Sequence, residues 1–131
     1  MKILICDDDI YFAQCIYKFL QQIESEQNLL LEIQSFNNTE ALLDVVKTDS
    51  EIKLIFLDII FTGSKVNGIK IAKEIEKINY KVKIVFITSY DSFAIQGYQM
   101  NTVGYLMKPI EYNVFTINEQ IQNIAQNKDT L

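Results

Sequence analysis

The sequence contains no histidine and no arginine, and its 131 residues include no apolar run long enough to span a membrane. Without histidine, this chain cannot use a histidine base, a histidine metal ligand or a histidine phosphocarrier. All 12 basic residues are lysine, and the net charge is −5. Because arginine makes most bidentate contacts to phosphate and guanine, we expect no nucleic-acid-binding surface on this chain. The chemistry that remains is that of carboxylates, hydroxyls and lysine.

The amino-terminal residues lack the charged, apolar and small-residue segments of a secretion signal. The two cysteines, Cys6 and Cys15, fall within apolar patterns and not at metal-ligand spacing. We therefore expect free thiols in a reducing compartment, a cytoplasmic location and no contact with a membrane. The length and a hydrophobic content of 49% predict a single folded domain over residues 1–131.

Short apolar runs alternate with helical patterns along the chain. The predicted strands cover residues 2–6, 29–36, 53–57, 83–88 and 103–107. Helices are predicted over residues 10–27, after residue 37, around residues 71–78, over residues 92–101 and over residues 111–127. Asn37 and Glu40 are spaced as in a capping box at the start of the second helix. Strand and helix repeated in this way predict an α/β fold, a parallel sheet with helices on both faces.

Polar side chains stand where four of these strands end. Asp7 and Asp8 follow the first strand, Asp58 follows the third, Thr88 ends the fourth and Lys108 follows the fifth. In open parallel sheets, ligands bind beyond the carboxyl ends of the strands. We therefore expect these side chains to converge on one site.

Three aspartates at such a site favour a divalent cation with oxygen ligands, and Mg²⁺ suits a site with few carboxylates and several waters. Asp58 is also a candidate nucleophile towards phosphorus, with Thr88 and Lys108 as partners of the phosphoryl oxygens. Taken singly, each residue has an ordinary structural explanation: Asp9 as a helix cap, Asp58 as a turn residue, Thr88 as a strand residue. Taken together, these explanations require several coincidences at one edge of one sheet.

Four segments carry a resemblance to a known family: ICDDD, LDI around Asp58, KIVFITSY with Thr88, and YLMKPI with Tyr105 and Lys108. In order and spacing the chain resembles the receiver domain of bacterial two-component response regulators over essentially its whole length. The resemblance implies a flavodoxin-like, doubly wound, three-layer α/β/α fold with five parallel strands in the order 2-1-3-4-5 and five helices. It also implies a regulatory domain rather than an enzyme.

The resemblance assigns roles to individual residues. Asp58 would accept a phosphoryl group from a sensor histidine kinase. Asp8 and Asp58 would bind Mg²⁺ directly, Asp7 mainly through water, and the backbone carbonyl of Ile60 would complete the protein ligands. The remaining family residues lie on the last two strands or directly after them. Thr88 and Tyr105 would form the switch pair, Lys108 would pair with the phosphoryl group, and the peptide before Pro109 would often be cis.

The segment ITSYDSFAIQGYQMNTVGYLMKPI is similar to receivers of the LytTR (LytR/AlgR) type. These regulators carry a carboxyl-terminal DNA-binding domain, so we expect that a transcription-controlling output domain follows residue 131 in the native protein. The resemblance also favours a phosphorylation-dependent homodimer formed through the fourth helix, the fifth strand and the fifth helix.

Three other interpretations remain. A phosphorylation-independent pseudo-receiver is kept open by the sequence IIFTGSKVNG after Asp58, where the family more often has a polar residue at position 60 and a proline soon after. A haloacid-dehalogenase phosphatase would share the D-x-D element of the triple aspartate, but Tyr11 stands where threonine or valine is expected. A flavodoxin would need to place an FMN phosphate beside this acidic cluster, which would repel it.

Overall fold

The structure is a computed structural model and describes residues 1–59, 67–88, 102–107 and 114–126. Strands and helices alternate through most of the described chain. In chain order the elements are β1 (Lys2–Cys6), α1 (Ile10–Gln27), β2 (Glu32–Phe36), α2 (Thr39–Thr48), β3 (Ile52–Asp58), α3 (Gly68–Ile78), β4 (Lys83–Thr88), β5 (Thr102–Met107) and α4 (Val114–Ala125). The predicted helix over residues 92–101 lies outside the described residues.

The five strands form one parallel sheet in the order β2-β1-β3-β4-β5, which agrees with the order that the family resemblance implies. β1 and β3 therefore lie side by side near the middle of the sheet, with β4 next to β3. Because both central strands are paired on both edges, the residues at their carboxyl ends are held at fixed positions. This pairing brings the end of β1 next to the end of β3.

Helices cover both faces of the sheet, as the near-continuous apolar strands predict. On one face, alternate strand residues such as Ile5 and Phe56 share a buried cluster with α1 and α4. On the other face, the intervening residues such as Leu4 and Ile55 share a buried cluster with α2 and α3. The described residues thus form the predicted three-layer α/β/α arrangement.

The starts of α1 and α2 are fixed by side-chain caps. Asp9 is the cap of α1, since its Oδ1 accepts the Phe12 N–H at 3.2 Å, as the sequence predicts. The predicted capping box of α2 is wrong by one residue. Asn38, not Asn37, is the cap, and its Oδ1 accepts the Ala41 N–H at 2.9 Å. Glu40 therefore lies in the first turn, where its charge is favourable to the helix dipole.

β2 begins three residues later than predicted, at Glu32 instead of residue 29. Asn28 adopts the left-handed conformation, with φ of 54°, and ends α1. The Glu24 carbonyl then accepts the Leu29 N–H, and the Glu24 carboxylate accepts the Leu31 N–H at 2.7 Å. These bonds use the backbone N–H groups of Leu29 and Leu31 at the helix end, so that these groups are not available to the sheet.

One ion pair joins the amino end of β1 to the segment after α2. Lys2 Nζ lies 2.6 Å from Asp49 Oδ2. This hydrogen bond is the main reason why the pKa of Asp49 is lowered from 3.8 and the pKa of Lys2 is raised from 10.5. The pair therefore stabilises the fold at neutral pH. It loses its effect as Asp49 is protonated below pH 3.8, or as Lys2 is deprotonated above pH 10.5.

We expect Asp49→Asn to lower the free energy of unfolding at pH 7, and we expect its difference from the wild type to shrink as the pH falls through the native pKa of Asp49. Urea unfolding at a series of pH values measures this difference. Asp44→Asn, which neutralises an exposed carboxylate of α2, is the control. A difference that stays constant from neutral to strongly acidic pH would contradict the assignment.

Candidate metal centre

Three aspartates gather at the carboxyl edge of the sheet. Asp7 and Asp8 follow β1 directly, and Asp58 is the last residue of the adjacent β3. One carboxylate oxygen from each of the three lies within 4.8 Å of the other two. The structure therefore brings together the three acidic residues that the sequence places at strand ends.

The cluster is largely removed from solvent. Asp7 is 1% exposed and Asp58 is 5% exposed, while Asp8 is half-buried. Burying several carboxylates together is costly unless a cation or hydrogen bonds compensate for the lost hydration. The donor set consists of carboxylate oxygens only, at a spacing that a single ion can bridge, and one member is open to solvent. This donor set fits a hard divalent cation such as Mg²⁺, which keeps part of its water shell.

Backbone hydrogen bonds orient the Asp7 carboxylate. The Asp9 N–H donates to Asp7 Oδ1 at 2.9 Å, and the Asp7 N–H donates to the Phe36 carbonyl at 3.1 Å. The run of three aspartates therefore has a division of roles: Asp9 caps α1 with its side chain and fixes Asp7 with its backbone, while Asp7 and Asp8 supply the cluster.

Asp58 is held by β4, the neighbour of β3 on the side away from β1, and by the start of α3. Asp58 pairs in register with Ile87 of β4, and the Ile59 N–H donates to the Ile87 carbonyl at 3.0 Å. The Ile59 carbonyl in turn accepts the Gly68 N–H at 2.6 Å. The backbone of Ile59, directly after Asp58, is thus hydrogen-bonded on two sides. The sequence pattern predicts no role for Gly68, because its close approach to β3 is a property of the tertiary structure.

The electrostatic effect of the cluster is visible at Cys6, which directly precedes it and is fully buried. Burial, followed by the charges of the three aspartates, raises the pKa of the Cys6 thiol from 9.0 to about 12. Both cysteines are free thiols, as predicted. Cys6 is therefore a protonated core residue, and its Sγ donates weakly to the Asn38 carbonyl at 3.6 Å.

The structure places the other predicted site residues only in part. Thr88 ends β4 and its backbone pairs in register with Met107, while the backbone of Tyr105 pairs with Phe86. The carboxyl end of β4 is thus next to that of β3, as the prediction requires. Ile60, Lys108 and Pro109 lie outside the described residues, as does the cis peptide expected before the proline. Their assigned roles stay predictions.

Comparisons with known proteins find relatives of the family that the sequence resembles. A family model described as the response regulator receiver domain matches residues 3–118. The chain is 31% identical over 112 residues to the sensory transduction protein LytR of Streptococcus agalactiae, with 85% of this chain and 43% of the relative covered. It is also 31% identical over 111 residues to the sensory transduction protein LytT of Bacillus subtilis, with 85% and 43% covered. Among solved structures, the response regulatory domain of protein mrkE from Klebsiella pneumoniae is similar with a TM-score of 0.77, at 24% identity over 97% of both chains.

These matches confirm the predicted resemblance, including the likeness to regulators of the LytR type. The structural similarity independently supports the fold. The chain spans less than half the length of these two curated relatives. Within the described residues, no helix has the length and apolar character that a membrane span needs.

Proposed function

Because the chain belongs to the response regulator receiver family, we propose that it is a phosphoacceptor, in which Asp58 receives a phosphoryl group from a sensor histidine kinase. The observation that carries the proposal is the cluster of Asp7, Asp8 and Asp58 at the carboxyl edge of the sheet. A carboxylate beside two others at a cation-sized spacing has both the nucleophile and the ligands that phosphoryl transfer needs.

The proposed reaction is a transfer between two side chains. A carboxylate oxygen of Asp58 attacks phosphorus, a new O–P bond forms, and the P–N bond of the kinase phosphohistidine breaks. The electron pair of that bond passes to the imidazole nitrogen of the kinase. Bound Mg²⁺ would offset charge on the phosphoryl oxygens, with Asp8 and Asp58 as direct ligands, Asp7 acting mainly through water, and the Ile60 carbonyl as a further ligand. In its ionised form the Asp58 carboxylate is itself the nucleophile, so the transfer needs no general base.

The response to phosphorylation is proposed to be a shift between two pre-existing conformations. The Thr88 hydroxyl and the Lys108 ammonium would contact the phosphoryl oxygens, and the Tyr105 ring would follow the hydroxyl inward. The output would be a homodimer formed through residues 92–101, β5 and the last helix. A LytTR-type DNA-binding domain beyond residue 131 would carry the effect to transcription, with residues 1–131 acting as the receiver domain.

The alternative is a pseudo-receiver that binds partners without phosphate. Its support is the unusual sequence between Asp58 and Gly68, with isoleucine at position 60. The acidic cluster favours the phosphoacceptor, because a domain that never binds a cation has no need of three clustered carboxylates.

The two functions are separated by the intact mass of the protein after incubation with acetyl phosphate, with and without Mg²⁺. We expect the wild type to gain one phosphoryl group only with Mg²⁺, and Asp58→Asn to gain none. Asp9→Asn is the matched control, because asparagine caps a helix as well as aspartate does and the substitution removes a charge from the same acidic run. Asp9→Asn should still be phosphorylated. A folded wild type that gains no phosphoryl group with Mg²⁺ would favour the pseudo-receiver.

A further inference from the structure

Gly68, the first residue of α3, lies directly against the backbone of Asp58. A β-carbon built at Gly68 would stand 2.0 Å from the Asp58 carbonyl oxygen and 2.9 Å from both the Asp58 carbonyl carbon and the Ile59 Cα. Contacts shorter than 3.0 Å are essentially never found for real β-carbons. All three are backbone atoms, of the last residue of β3 and of the residue after it, so they cannot turn aside as a flexible side chain would.

A backbone hydrogen bond accompanies the close approach of Gly68 to the end of β3. The Gly68 N–H donates to the Ile59 carbonyl at 2.6 Å, and the Ile59 N–H donates to the Ile87 carbonyl at 3.0 Å. The backbone of Ile59, the residue that follows Asp58, is therefore bonded to α3 through its carbonyl and to β4 through its N–H. Both contacts act on the backbone from which the Asp58 carboxylate projects into the acidic cluster.

Helix formation itself does not require a glycine at position 68. The residue belongs to a regular helix and not to the left-handed region that favours glycine, and alanine is the better helix former. Asn67 already caps the helix, since its Oδ1 accepts the Lys70 N–H at 3.0 Å. The structural requirement for glycine is thus the approach to β3, which only a residue without a β-carbon permits.

We infer that Gly68 is a positioning residue of the phosphoacceptor site: it lets α3 close onto the end of β3 and so fixes the Asp58 carboxylate relative to Asp7 and Asp8. The inference rests on the proposed function for its consequence in phosphoryl transfer, but not for its consequence in metal binding. Asp58 is the acceptor, and Gly68 acts only through the backbone of Asp58 and Ile59.

The test is Gly68→Ala. To bring the new β-carbon from 2.0 Å to at least 3.0 Å from the Asp58 oxygen, the strand end and the helix start must separate by about 1 Å. A displacement of about 1 Å at a reacting group lowers a rate by about 100-fold. We therefore expect phosphorylation by acetyl phosphate to slow by about 100-fold. We also expect the Mg²⁺ dissociation constant, measured from the backbone amide shifts of Asp7 and Ile59 in ¹⁵N NMR spectra, to rise by about 10-fold or more.

Asn67→Ala is the matched control. It removes the side-chain cap of the same helix and lowers thermal stability, but it leaves the glycine contact with Asp58 in place. We expect its Mg²⁺ affinity to remain that of the wild type. If Asn67→Ala weakens Mg²⁺ binding as much as Gly68→Ala does, the effect belongs to helix stability in general and the inference is overturned. A folded Gly68→Ala with wild-type Mg²⁺ affinity also overturns it.

A measurement on the wild type decides the matter if Gly68→Ala does not fold. By linkage, a contact that strengthens metal binding is itself strengthened by the metal to the same degree. We expect saturating Mg²⁺ to slow hydrogen exchange at the Gly68 amide by about 10-fold or more, whereas the exchange rate at the Lys70 amide, bonded to the Asn67 cap, should change much less. Unchanged exchange at Gly68 under saturating Mg²⁺ would overturn the inference. If the wild type binds Mg²⁺ but accepts no phosphoryl group, the proposed function fails while these metal-binding results still decide the role of Gly68.

Discussion

Replacing Asp7 by asparagine is expected to raise the free energy of unfolding of the metal-free protein by about 1–3 kcal/mol. The carboxylate oxygens of Asp7, Asp8 and Asp58 lie within 4.8 Å of one another, and two of the three residues are buried. Two unit charges at that distance repel by about 3 kcal/mol at an effective dielectric constant of about 20. Asparagine removes one charge but keeps the side-chain oxygen that accepts the Asp9 N–H. On this account, the repulsion within the cluster lowers the stability of the metal-free protein.

In excess Mg²⁺, by contrast, the wild type is expected to be more stable than Asp7→Asn. A ligand that binds only the folded state, at 100 times its dissociation constant, stabilises that state by about 2.7 kcal/mol. The wild type should gain this amount, and Asp7→Asn should gain much less because it lacks one of the three charges. Urea unfolding in EDTA and in excess Mg²⁺ measures both effects. Asp44→Asn, which lies on the exposed surface of α2, should respond to Mg²⁺ as the wild type does. An Asp7→Asn variant that is less stable than the wild type in EDTA would contradict the electrostatic account.

Phe56→Ala is expected to lower the free energy of unfolding by about 3–5 kcal/mol, which is a large part of the stability of a typical domain. Phe56 is 0% exposed and lies on β3, two residues before Asp58, in the cluster that joins the sheet to α1 and α4. Removing its ring leaves a cavity that the paired central strand cannot close by moving. The loss should appear as a lower urea midpoint with an unchanged dependence on urea concentration.

Lys53→Ala is the control for this substitution, because Lys53 lies on the same strand but its side chain is exposed. We expect its unfolding free energy to stay within about 0.5 kcal/mol of the wild type. A Phe56→Ala variant that loses less than about 1 kcal/mol would mean that the site relaxes and that the sheet is less tightly packed than the structure indicates.

The acidic site was accessible from the sequence because it depends on a simple topological rule. Apolar runs mark where parallel strands end, and the residues that follow meet at one edge. This reasoning places Asp7, Asp8 and Asp58 together, as the structure does. The same reasoning identifies Asp9 as the helix cap, because a carboxylate directly before a helical pattern satisfies a free backbone N–H.

The errors occur where neighbouring residues compete for one structural role. Asn37 and Asn38 are equally suited to cap α2, and only the path of the chain from β2 decides for Asn38. The leucines at residues 29–31 favour a strand, but Glu24 near the end of α1 accepts the N–H groups of Leu29 and Leu31. Ile78 fits the apolar pattern of the third helix but is 39% exposed, since it is the last residue of α3.

Gly68 illustrates a different limit. A glycine at the start of a helix indicates by itself only local flexibility, and its contact with Asp58 joins the end of β3 to the start of α3. No periodicity or spacing in the sequence reports such an approach between backbones. Long-range contacts of this kind are determined by how α3 packs on the sheet, and they become visible only in the folded structure.

The central claim is that Asp7, Asp8 and Asp58 form one divalent-cation site, and a titration with Mn²⁺ followed by ¹⁵N NMR tests it most directly. The paramagnetic ion broadens amide signals close to it. We predict that substoichiometric Mn²⁺ selectively broadens the amide signals of Asp8, Asp9 and Ile59 and that excess Mg²⁺ restores them. Signals from the opposite edge of the sheet, such as Lys53 and Lys83, should stay sharp. Uniform broadening across the protein, or no broadening at Asp8, Asp9 and Ile59, would contradict the account.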